Sequence, residues 1–166
     1  RQSGNYALGE IRSELFPAIR DPEIHAVYRD EREEKVSLIE YISGASLAPG
    51  RHVFISGEGG MGKTVSLLKT CEHLLEQRVN AVYVPLSKLS ARMSLDDYLE
   101  RVVCGGMQGI WSSVRTLMST PFSGTPNLVL LLDGVNEVPP DYVETFVAGL
   151  RQNYLASSRG VRVIMT

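Results

Sequence analysis

Short runs of apolar residues alternate along this chain with segments in which apolar residues recur at every third or fourth position. The apolar runs are typical of strands that are buried on both faces, and they occur at 51–56, 81–86, 128–132 and 161–166. The helical spacings fill the intervals, at 65–77, 94–104, 110–118 and 139–154. Strands that alternate with helices predict a three-layer α/β fold with a mainly parallel sheet flanked by helices.

Local signals mark where several of these helices begin and end. Ser94 is a predicted N-cap with Asp97 at the third helical position, and Gly105-Gly106 ends that helix. Residues 110–118 are consistent with a further helix or with a surface excursion. Pro139-Pro140-Asp141 begins the helix that leads to the last strand.

The first part of the chain carries weaker patterns. Residues 1–26 predict an arm or a short helix, and residues 27–166 predict one α/β domain that is truncated at its C-terminus. Asp30 is a predicted N-cap, with Glu33 as its capping-box partner, and Ser43-Gly44 would end that helix.

Composition excludes several classes of protein. The 166 residues suit a single domain, and 43% hydrophobic with 22% charged residues is ordinary for a globular chain. A net charge of −2 gives no bulk electrostatic reason to bind nucleic acid or an anionic membrane. Cys71 and Cys104 form neither a metal-ligand spacing nor a disulfide framework, and no apolar run could span a bilayer. We therefore expect a cytoplasmic protein.

Residues 57–64 read GEGGMGKT and match the phosphate-binding loop pattern G-x-x-x-x-G-K-[ST] at every fixed position. The glycines admit backbone conformations in which successive N–H groups point at an anion, and the following helix adds its positive end. Lys63 would contact the β- and γ-phosphates, and the Thr64 hydroxyl would bind Mg²⁺. The predicted nucleotide-binding residues of this loop are Gly57, Glu58, Gly59, Gly60, Met61, Gly62, Lys63, Thr64 and Val65.

A second constellation follows the apolar run 128–132. Asp133 stands at the carboxyl end of a predicted buried strand, where a carboxylate can hold Mg²⁺ against phosphate oxygens. Gly134 permits a close turn, and Glu137 is the only other carboxylate in that turn. Glu137 is therefore the candidate general base, with Asp133 and Lys63 as its catalytic partners.

The loop GEGGMGKT and the segment LVLLLDGVNEV at 128–138 together resemble the NACHT group of STAND-type P-loop ATPases. This group includes the animal NOD-like receptors and many bacterial antiviral proteins, and the similarity spans about residues 27–166. The resemblance implies binding of ATP or ADP with Mg²⁺, slow hydrolysis and self-association that activates an effector after an unknown trigger. It also implies that strand 161–166 lies between the strands that end at Ser56 and Asp133.

Two departures from the family pattern affect these expectations. The position three after Asp133 is usually acidic in the family but is Asn136 here, which predicts slower hydrolysis. Arg29 corresponds to a nucleotide-holding arginine of the family, although Tyr28 stands where a glycine is common.

Other functions remain open from the residues alone. One alternative is a P-loop kinase for a small molecule, whose lid arginines could only be Arg101 and Arg115 within residues 100–127. Another is an ADP-binding interaction module that does not hydrolyse nucleotide. The glycines also match the dinucleotide pattern G-x-G-x-x-G, but Lys63-Thr64 favours a triphosphate. His25, His52 and His73 share no catalytic spacing and are interpreted as surface or edge residues.

Overall fold

A computed structural model describes residues 23–27, 33–37, 52–57, 60, 62–121, 126–155 and 160–166, the first two segments by their backbone only. Within these residues the strands are β1 Glu23–Val27, β2 Glu33–Ser37, β3 Val53–Phe54, β4 Ala81–Pro85, β5 Leu128–Asp133 and β6 Val161–Met165. The α-helices are α1 Lys63–Glu76, α2 Leu95–Tyr98, α3 Gln108–Ser119 and α4 Val143–Asn153. A π-helical turn, Leu99–Val103, continues α2, and single 3₁₀ turns occur at Leu86–Lys88 and Val135–Glu137.

The larger sheet has four parallel strands in the order β3-β6-β5-β4. This arrangement confirms the predicted α/β fold, and β6 lies between β3 and β5 as the sequence resemblance implied. Parallel strands need long crossover connections, and here the helices between successive strands provide them.

Helices cover both faces of this sheet. Along β5 the side chains alternate, so that Leu130 and Leu132 join one core cluster while Leu131 joins the other. The first cluster packs against α2, α3 and α4, and the second packs against α1. All the residues from Leu128 to Leu132 are buried, which explains why this strand is a continuous apolar run.

The capping box predicted at α2 is present. The Ser94 Oγ accepts a hydrogen bond from the Asp97 N–H at 3.1 Å, and the Asp97 carboxylate accepts from the Ser94 N–H at 3.1 Å. Gly105 and Gly106 adopt positive φ angles of 61° and 72° directly after the π-helical turn. The helix predicted from Ser94 to the two glycines is therefore confirmed, with a wider winding in its second half.

The helix predicted from Asp30 is wrong over Glu33–Ser37. These residues form β2, which pairs antiparallel with β1, Val27 lying opposite Glu33 and Glu23 opposite Ser37. The pairing satisfies backbone groups through a segment ten residues away, and helical periodicity contains no signal of such a non-local partner. The remaining part of that helix and the helix predicted within residues 1–20 lie outside the described residues.

Among the described residues, none of the helices has the length and apolar character that a bilayer crossing requires.

Candidate phosphate and metal site

The loop after β3 reaches α1 through a left-handed backbone. Gly60 and Gly62 have φ angles of 80° and 78°, and Gly62 is the N-cap of α1. A Cβ at either position would have no heavy atom within 4 Å, so backbone conformation rather than crowding favours glycine. Glu58, Gly59 and Met61 lie outside the described residues.

The N-terminus of α1 carries no carboxylate of its own. Gly62 supplies no side-chain cap, and the first turn contains no acidic residue. The first helical hydrogen bond runs from the Ser66 N–H to the Gly62 carbonyl at 2.9 Å, and Thr64 in this turn is exposed. The N–H groups at the start of the helix and its dipole therefore favour an anion at this end.

Lys63 spans the loop. Its Nζ donates a hydrogen bond to the carbonyl oxygen of Gly57 at 2.7 Å. This contact joins the first and the seventh residue of the motif. The motif predicts that this lysine contacts phosphate oxygens.

Asp133 emerges from the same edge of the sheet as the loop. The Ile55 N–H bonds the Met165 carbonyl at 2.8 Å, and the Thr166 N–H bonds the Leu132 carbonyl at 3.1 Å. Asp133 is the last residue of β5, whereas Ile55 and Thr166 directly follow β3 and β6. The three residues therefore lie at equivalent levels of the sheet. Adjacent strands lie about 4.8 Å apart, so roughly 10 Å separates the end of β3 from Asp133. Ligands of open parallel sheets bind outside this carboxyl edge.

The side chains of Tyr83, Asp133 and Thr166 share one face of the sheet. Tyr83 lies opposite Leu131 in the register, and Asp133 follows Leu131 by two residues. Thr166 follows Ile164 by two residues, and Ile164 also lies opposite Leu131. Leu131 and Ile164 belong to the core cluster beneath α1, so the three polar groups lie on the side of the sheet to which the phosphate loop leads.

Two hydroxyl groups bind the Asp133 carboxylate. The Tyr83 O–H donates to Oδ2 at 2.7 Å, and the Thr166 O–H donates to Oδ1 at 2.8 Å. The Gly134 N–H donates to the Thr166 Oγ1 at 3.1 Å, and the Val135 N–H donates to the Thr166 carbonyl at 2.7 Å. The end of β6 thus holds both the carboxylate and the turn that follows it.

Glu137 packs back over Gly134. Gly134 has a φ of 78°, and a Cβ there would lie 2.8 Å from the Cδ of Glu137. The left-handed conformation therefore favours glycine at this turn, and the end of the exposed Glu137 side chain would have to shift to admit a Cβ. Asn136 and Glu137 are both exposed in the 3₁₀ turn.

Burial raises the pKa of Tyr83 far above its ordinary value, and the hydrogen bond to Asp133 and the charges of Asp133 and Glu137 act in the same direction. The Tyr83 hydroxyl consequently keeps its proton and remains a donor to Asp133 at physiological pH.

The residues present fit a phosphate group and a hard divalent cation. Among the described residues, each Asp133 oxygen accepts one hydrogen bond, which leaves acceptor capacity for a metal or its water. The described part of the chain contains no group of three or more His, Cys, Asp and Glu side chains that could hold a metal by themselves. Magnesium fits such a site, because it is commonly held by one or two protein oxygens together with phosphates and water.

The sequence did not indicate a role for Tyr83 or Thr166 at this site. Arg29, which the sequence did indicate, lies outside the described residues. Thr166 did carry a signal, since it is a polar residue directly after a buried strand, in the same way as Asp133. Tyr83 lies within its strand, and only the register places its hydroxyl beside Asp133.

This sequence matches no protein-family model and no curated protein.

Proposed function

We propose that this domain binds a nucleoside triphosphate with Mg²⁺ and is the slow ATPase of a NACHT-type signalling switch. The observation that carries the proposal is the loop that joins β3 to α1, with its left-handed glycines and the Lys63 ammonium on the Gly57 carbonyl. Its position at the same sheet edge as Asp133 brings together an anion site and a carboxylate.

Each residue of the site has a distinct proposed role. The loop backbone and Lys63 bind the phosphates, and Thr64 and Asp133 would hold Mg²⁺, which supplies electrostatic stabilisation of the charge on the transferring phosphoryl group. Glu137 would orient a water molecule and accept its proton. The exposed position of Glu137 beside Gly134 leaves its carboxylate access to that water.

Asn136 supports a slow reaction. It is exposed and uncharged at a position where the NACHT pattern usually has an acidic residue. Besides Asp133, the turn contains Glu137 as its single carboxylate. Glu137 would therefore act as general base without a second acidic side chain at position 136. Hydrolysis would then serve as a timer for the bound state.

In the switch, ATP and ADP stabilise different conformations of the protein, and the difference controls self-association and recruitment of an effector. We place this switch in the cytoplasm.

Isothermal titration of ATP, ADP and GTP, each with and without Mg²⁺, tests the proposal. We expect adenine-selective binding that Mg²⁺ strengthens. Lys63→Ala should weaken ATP binding at least tenfold, because hydrogen bonds to charged groups contribute about 1.5–3 kcal/mol. Lys69→Ala, six residues along α1, is the matched control and should bind as the unaltered protein does. Equal affinities of the two variants would remove the loop from the proposal.

A further inference from the structure

The Asp133 carboxylate is held from both neighbouring strands. Tyr83 belongs to β4 and Thr166 follows β6, and these strands flank β5 in the sheet. Their hydroxyl groups donate to different oxygens of the same carboxylate, at 2.7 Å and 2.8 Å. Neither contact is a local one, since Tyr83 and Thr166 are separated from Asp133 by 50 and 33 positions.

The direction of both hydrogen bonds follows from the neighbouring groups. The Gly134 N–H donates to the Thr166 Oγ1, which occupies an acceptor site of that hydroxyl while its proton is directed to Asp133. A tyrosine hydroxyl has a single proton, and Tyr83 gives it to the carboxylate. The carboxylate therefore accepts one bond at each oxygen, and these two bonds fix its plane.

A space-filling role does not require the Tyr83 hydroxyl. The Tyr83 ring packs against the core cluster beneath α1, and a phenylalanine ring would occupy nearly the same volume. The hydroxyl oxygen of Tyr83 has a more specific role, because it binds the Asp133 carboxylate at the edge of the sheet where the parallel strands end. Without such bonds, the terminal torsion of an aspartate is broad and its oxygens sample many directions.

We propose that Tyr83 and Thr166 are positioning residues that fix the Asp133 carboxylate for Mg²⁺ bound together with nucleotide. This inference rests on the proposed function, in which Asp133 holds the metal. Carboxylates that bind metals are themselves hydrogen-bonded, and loss of such a partner typically lowers metal affinity about 10–100-fold. The two hydroxyls also link the geometry of the proposed metal site to the middle of β4 and to the end of β6.

The test compares ATP affinity with and without Mg²⁺ in the unaltered protein and in Tyr83→Phe. The ratio of the two affinities is the measured quantity. We expect Tyr83→Phe to reduce this ratio about tenfold and to leave metal-free ATP binding unchanged. Tyr142→Phe is the matched control, because it removes the same atom from a buried tyrosine. Tyr142 directly precedes α4 and belongs to the core cluster on the other face of the sheet. Its ratio should not change.

Thr166 provides a second pair of variants if Tyr83→Phe does not fold. Thr166→Val removes the hydroxyl at nearly constant volume, whereas Thr166→Ser keeps it, and thermal unfolding verifies that each variant is folded. We expect the Mg²⁺ ratio to fall in Thr166→Val and to be retained in Thr166→Ser.

The outcomes separate the inference from the proposed function. An unchanged ratio in Tyr83→Phe and Thr166→Val would overturn the positioning role while nucleotide binding stood. Equal losses with and without Mg²⁺ would also overturn it, because they indicate general damage to the pocket. Absence of ATP binding by the unaltered protein would overturn the proposed function, and the inference with it.

Discussion

Gly134 and Glu137 pack against each other across the turn that follows β5. The glycine has a φ of 78°, and a Cβ would meet the Glu137 Cδ at 2.8 Å. The same turn is held at its other side by the Thr166 hydroxyl, which accepts the Gly134 N–H. A side chain at position 134 would therefore require the end of Glu137, the candidate base, to shift.

Gly134→Ala should lower the free energy of unfolding by about 1–2 kcal/mol, the typical cost of a left-handed backbone for a residue with a Cβ. It should also displace the Glu137 carboxylate and slow any ATP hydrolysis. Gly149→Ala in α4 is the control, because a Cβ there would have nothing within 4 Å and the helix favours alanine. Urea unfolding of the two variants measures the difference in stability. Equal stabilities would contradict the backbone strain that we expect for alanine at position 134.

Glu137→Gln should leave ATP binding intact and slow hydrolysis about 100-fold or more, the lower range for loss of a general base. The amide keeps the shape of the side chain but cannot accept the proton of the attacking water. Single-turnover hydrolysis, measured at saturating Mg²⁺ and ATP, isolates this step. Glu144→Gln, an exposed change in the first turn of α4, serves as control. Unchanged turnover in Glu137→Gln would place the base elsewhere.

The protein should lose stability in weak acid, because the folded structure holds His52 in its neutral form. Its Nδ1 accepts the Val163 N–H at 3.1 Å, so the proton resides on Nε2, which lies 3.3 Å from the Leu155 carbonyl. Burial lowers the pKa of His52 below its ordinary value of 6.5; the bond to Leu155 opposes this shift, and the charge of Arg162 adds to it.

Because the folded pKa is lowered, the unfolded chain binds a proton at His52 before the folded protein does. The contribution of His52 to the free energy of unfolding is fully present above about pH 6.5. This contribution decreases as the pH falls from 6.5 toward the lowered pKa of the folded protein. Urea unfolding from pH 5 to 8 should show this slope, and His52→Gln should remove part of it. His73→Gln should retain the slope, and identical slopes in all three proteins would exclude His52 as its source.

Gly160 lies where β6 approaches the segment between α3 and β5. A Cβ at this position would collide with the Asn127 side chain and would lie 2.6 Å from the Thr120 carbonyl oxygen. The Asn127 Nδ2 donates to the Leu117 and Thr120 carbonyls, both at 3.2 Å, so it cannot move away without losing these bonds.

Gly160→Ala should therefore destabilise the protein by about 1–3 kcal/mol, the usual range for overpacking. Thermal unfolding is sufficient to measure the effect. The double variant Gly160→Ala/Asn127→Ala should recover only part of the loss, since the Thr120 backbone remains in contact. If Gly160→Ala were as stable as the unaltered protein, the contact between Gly160 and the segment that holds Thr120 and Asn127 would widen without loss of stability.

The sequence by itself determined what depends on residues close together in the chain. Examples are the left-handed Gly60 and Gly62 before α1, the Ser94–Asp97 capping box and the apolar run that ends at Asp133, each of which acts over a few positions. Their physical causes are backbone conformation, local hydrogen bonds and the spacing of apolar residues. Each of them could accordingly be predicted with its place in a strand, turn or helix.

Only the tertiary structure decided which distant groups meet. The pairing of Glu33–Ser37 with Glu23–Val27 replaced a predicted helix, because backbone bonds to a separate segment outweighed weak local periodicity. The two hydroxyls on Asp133 come from residues that are 50 and 33 positions away along the chain, Tyr83 in β4 and Thr166 after β6. Register sets these contacts, and register is fixed by the packing of whole faces, as the alternation of Leu131 and Leu132 between two cores illustrates.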